Sequence, residues 1–75
     1  MNKATPLSQA LREIEAQKIQ LLELESLAKA IPLTKAQHDE VFVLQMYLVA
    51  ANKEMPTAYE AAVRNARKRF ERGDY

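Results

Sequence analysis

The chain has 75 residues, enough for one domain, and a domain near that size buries only ~60% of its unfolded surface, so it needs a further source of stability. Cysteine is absent and His38 is the only histidine, which excludes a disulfide framework and a zinc site built from several Cys and His ligands of one copy. The net charge of +1 argues against a protein that works chiefly by global electrostatic attraction, and the longest nearly unbroken apolar stretch, VFVLQMYLVAA at 41–51, falls far short of the ~20 residues of a membrane-spanning helix.

With one glycine and an abundance of Ala, Leu, Glu, Lys, Arg and Gln, the sequence predicts an all-α protein, and three prolines divide it. Thr5-Pro6 reads as an N-cap followed by proline at the first helical position, where a missing N–H does no harm. Ile31-Pro32 stops that helix, because the residue before proline is pushed out of the helical region. The first helix is therefore expected at about 6–30. It carries a seven-residue pattern, with Leu7, Ile14, Leu21 and Ala28 at one position and Ala10, Gln17, Leu24 and Ile31 at the other. Leu11, Leu22 and Leu27 widen the stripe. At ~1.5 Å per residue this helix is the longest of the three, and its N-terminal turns are expected to project.

Thr34 and Gln37 form a capping box that starts the second helix, with Asp39 and Glu40 placed to complement the positive end of its dipole. Met55-Pro56 ends it, giving about 35–54. Around this helix Val41, Leu44 and Leu48 point one way, Phe42 and Val49 another, Met46 and Val43 a third, and Tyr47 and Ala51 a fourth. Only Gln45 breaks the ring. A helix apolar all round is buried all round, and two neighbours at the usual ~8–10 Å spacing cover only about half to two-thirds of it. An identical subunit is the expected cover for the rest, ahead of an unrelated protein. Val41, Leu44, Met46, Tyr47, Leu48 and Ala51 are the expected core or dimer-interface residues.

Thr57 and Glu60 suggest a second capping box, which places the third helix at about 58–72 with Gly73 as its terminator. Its apolar stripe is Tyr59, Ala62, Val63, Ala66 and Phe70, and the alanines suggest close approach to the second helix. The short connections favour an up-down-up bundle. Residues 1–75 read as one domain, with 1–5 and 73–75 as flexible termini.

The third helix also concentrates charge. Residues 55–75 hold five basic and three acidic side chains, +2, against −1 from six basic and seven acidic in 1–54. Arg64, Lys68 and Arg72 fall together opposite the apolar stripe, with Arg67 and Arg69 at its borders. As plain structure this is a solvated face whose cations complement the negative end of the helix dipole. As a site it suits carboxylates of an acidic protein partner, which arginine grips in bidentate fashion. Phosphates of nucleic acid are the lesser alternative, since base recognition wants polar readers and only Asn65 is offered.

Catalysis has little support. Glu13/Glu15 and Glu23/Glu25 are spaced by two, which sends each pair to different sides of a helix, though these carboxylates are placed to meet the arginines of the third helix. His38 sits in a polar first turn, and no nucleophile motif, phosphate loop, cofactor signature or metal-ligand set occurs. Arg72-Gly73-Asp74 matches an adhesion tripeptide but is explained as a helix end. The expectation is a non-enzymatic, cytoplasmic three-helix protein without cofactor or small-molecule substrate. It is expected to dimerise through its second helix together with the first, and to bind another macromolecule as regulator, adaptor or inhibitor through the exposed face of the third helix and the projecting start of the first.

Overall fold

The computed structural model describes residues 6–74. Three helices follow one another, α1 (Pro6–Ala30), α2 (Lys35–Glu54) and α3 (Pro56–Arg72). All three pack on each other, and no strand occurs among the described residues. The expected cap at Thr5 lies outside these residues.

The helix ends show which local chemistry prevails. Thr34 closes the capping box: its Oγ1 accepts from the Gln37 N–H at 3.2 Å while the Gln37 side chain accepts from the Thr34 N–H at 2.9 Å. Asp39 and Glu40 lie in the second turn, so the first turn holds no carboxylate, and the dipole effect expected of them has faded by that depth. Between α2 and α3 stands Met55 alone. Its N–H donates to the Ala51 carbonyl at 2.8 Å and its own carbonyl accepts from Tyr59 at 2.9 Å, so it serves both helices at once. α3 therefore begins two residues earlier than the Thr57/Glu60 box implied, because Pro56 is already preorganised for a first helical position. Gly73, at φ 71°, turns α3 off in the left-handed region. Its N–H donates to the Phe70 carbonyl at 3.1 Å and the Asp74 N–H to that of Arg69 at 2.9 Å, the two bonds of a Schellman end. Gly73 and Asp74 are tied into this cap.

Gln20 donates to Glu40 at 2.7 Å and Tyr47 to Glu13 at 3.4 Å, so position in α2 rises as position in α1 falls and the two run antiparallel. The core gathers Ile14 and Leu21 from α1, Leu44, Leu48 and Ala51 from α2, and Ala58 and Ala62 from α3. Ala58, Ala62 and Ala66 form a stripe at i, i+4, i+8, all buried. Having only methyl groups there, α3 is free to come close to its neighbours, and its most extensive packing is with α1 rather than α2. Ile14 and Leu21 of the seven-residue pattern are buried, whereas Leu7, Ala28 and Ile31 are exposed. At 25 residues α1 outruns α2 and α3, with 20 and 17, and residues 25–31 stand exposed beyond its best-covered turns.

Candidate interaction surfaces

α2 divides into two apolar faces. Leu44, Leu48 and Ala51 point into the bundle and are buried, with Val41 and Tyr47 packed half-buried beside them. On the opposite side Phe42, Val43 and Val49 are each 63% exposed and Met46 is 54% exposed, with Ala50 and Gln45 exposed alongside. Of the six residues named from sequence as core or interface, five thus lie within the bundle of a single copy. Met46 alone belongs to the outer face, and Phe42, Val43 and Val49 are its other members. The signal for them was the all-round apolar character of the helix: two neighbours leave one side open, as the spacing of packed helices requires.

The five cations of α3 are also divided. Arg64, Arg67, Lys68 and Arg72 are exposed, and Lys68 and Arg72 border a cleft that also holds Asn65, Arg69 and the Glu15 side chain of α1. Arg72 lies 3.7 Å from the Asp74 carboxylate. Arg69 is different. Its Nη1 donates to Glu15 Oε1 at 2.6 Å and its Nε to the Asp74 carbonyl at 3.0 Å, and the Glu15 side chain is only 14% exposed. This arginine joins the end of α3 to the middle of α1 and is committed to the fold. It shares an open groove with Arg12, Glu15, Ile19 and Glu23, a mixed-charge lining with no single preference for anion or cation. A second shallow depression, on α3 itself, is lined by Tyr59, Glu60, Val63, Arg64, Arg67 and Lys68; three cations against one carboxylate make it the more cationic of the two.

No family model matches the chain, and neither a curated protein nor a solved structure matches it. The surfaces therefore have to be read from their own chemistry. The titration of Tyr47 is displaced. Partial burial first, then the negative Glu13 carboxylate and the hydrogen bond to it, push the phenol above its ordinary value of 10. That keeps the hydroxyl a donor and makes it a structural tie between α1 and α2. Among the described residues no three His, Asp or Glu side chains gather to hold a metal ion, and no helix is long and apolar enough to cross a membrane. No buried side-chain nitrogen or oxygen among them lacks a hydrogen-bond partner.

Proposed function

We propose that the protein is a small non-enzymatic interaction module, of the regulator, adaptor or inhibitor kind, that pairs with itself through α2 and offers the basic face of α3 to an acidic protein. The observation that supports this most is the outer face of α2. Phe42, Val43, Met46 and Val49 form a contiguous patch, and on single-copy proteins patches of a few hundred Å² mark interaction sites. The chain is also small enough to gain from burying it. On α3, the exposed arginines match carboxylates in geometry as well as charge.

Nucleic-acid binding is the alternative and draws on the same cations. Arg69 is withdrawn from it by Glu15, which leaves Arg64, Arg67, Lys68 and Arg72. Backbone-amide NMR separates the two readings. Raising the protein concentration should shift resonances around Phe42, Met46 and Val49, and a DNA duplex at about 50 mM salt, where phosphate contacts are strongest, should leave α3 unmoved. Shifts at Arg64 and Lys68 that saturate with duplex and vanish by about 200 mM salt would replace this reading with the alternative.

A further inference from the structure

The outer face of α2 reads Lys35, Asp39, Phe42, Met46, Val49, Lys53, at spacings alternating between four and three residues, and all six are exposed. That alternation keeps a row of side chains on one seam toward a partner helix. The apolar middle is flanked by opposite charges placed symmetrically: Asp39 lies seven residues before Met46 and Lys53 seven after it. Two copies laid antiparallel about a two-fold axis at Met46 bring Asp39 of one opposite Lys53 of the other, and the axis repeats the pair at the far end. Lys35 and Glu54 fall at the same ends, so each end collects two cations and two carboxylates. A parallel pairing of the same seam sets Asp39 against Asp39 and Lys53 against Lys53, and like charges held together oppose association.

We infer that the occupant of this face is a second copy of the chain, paired antiparallel through α2 about Met46, with Asp39–Lys53 ion pairs closing both ends. This rests on the reading of the outer face of α2 as a docking surface. The pairing of opposite charges at both ends supports it, and each copy supplies four exposed apolar side chains, Phe42, Val43, Met46 and Val49, to be buried between them.

Charge exchange tests the geometry, with folding of each variant checked by circular dichroism and self-association measured by sedimentation equilibrium at low salt. Asp39→Lys alone and Lys53→Asp alone each make both ends repulsive, and each should weaken the dimer about tenfold, the scale of two exposed pairs reversed in sign. The double variant, and an equimolar mixture of the two single variants, should recover the wild-type affinity. A parallel dimer gives another pattern: single variants no weaker than wild type, and a mixture tighter than wild type. That pattern, or four samples with equal affinity, overturns the antiparallel arrangement while leaving α2 as the interface. A dimer unaffected by Met46→Glu, or no dimer at all, overturns the docking surface as well.

Discussion

Leu48→Ala and Met46→Ala change neighbouring positions of one helix, and the fold assigns them opposite consequences. Leu48 is 4% exposed, in contact with the core formed by all three helices, so its truncation removes transfer energy and leaves a cavity, together about 2–5 kcal/mol. A chain of this size has roughly 4–11 kcal/mol of stability in all, at ~0.05–0.15 kcal/mol per residue, so the loss is a large fraction of it. Met46 is 54% exposed and touches little within its own copy. In a sample dilute enough to be monomeric, its truncation should cost no more than about 0.5 kcal/mol. Urea unfolding followed by far-UV circular dichroism measures both. With a slope of about 1 kcal/mol per molar urea, the Leu48→Ala midpoint should fall by about 2 M or more and the Met46→Ala midpoint hardly at all. At high concentration the wild-type midpoint should rise, since the dimer binds only folded chains, and Met46→Ala should lose that rise. Equal costs for the two substitutions in dilute solution would refute the division of α2 into an inner and an outer face.

Three further outcomes follow from particular contacts. Gly73→Ala adds a methyl group that meets nothing within 4 Å, so its cost is the backbone alone, about 1 kcal/mol for a left-handed residue; an unchanged thermal midpoint would contradict the Schellman end. Tyr47→Phe concerns alkaline pH. The Tyr47 pKa is raised in the folded state, so its contribution is fully present below about 10 and is lost as pH climbs through the folded value; wild type should therefore lose more stability above pH 10 than Tyr47→Phe does. Glu15→Gln and Arg69→Met should be coupled by about 0.5–1 kcal/mol in a double-mutant cycle of urea midpoints, less at high salt; a coupling of zero would mean that the 2.6 Å pair does not hold α3 to α1.

What could be seen in the sequence was punctuation and one imbalance. Pro32, the Thr34/Gln37 box and Gly73 each act through neighbouring backbone, so their effects are visible locally, and the helix boundaries they set agree with the fold. The start of α3 was harder because two local signals compete there, and the preset φ of Pro56 prevails over the hydroxyl of Thr57. The seven-residue pattern of α1 located Ile14 and Leu21 but not Ile19, which is buried as well. A single seam presumes a single partner. α1 packs on both α2 and α3, so its buried arc is wider, and Ile19 lies about 140° around the helix from Ile14. The commitment of Arg69 rather than any other cation to Glu15 depends on where α3 lies along α1. That is tertiary geometry, across 54 residues of chain. The open side of α2 was legible because it follows from counting neighbours, whereas which of its apolar residues face outward depends on where α1 and α3 sit.

The mass of the wild-type chain in solution, measured by light scattering from micromolar to millimolar concentration beside Met46→Glu, tests the account most directly. The outer face of α2 predicts a rise from 8.6 kDa toward twice that value for wild type and none for the variant. A wild-type mass that stays at 8.6 kDa throughout would contradict it.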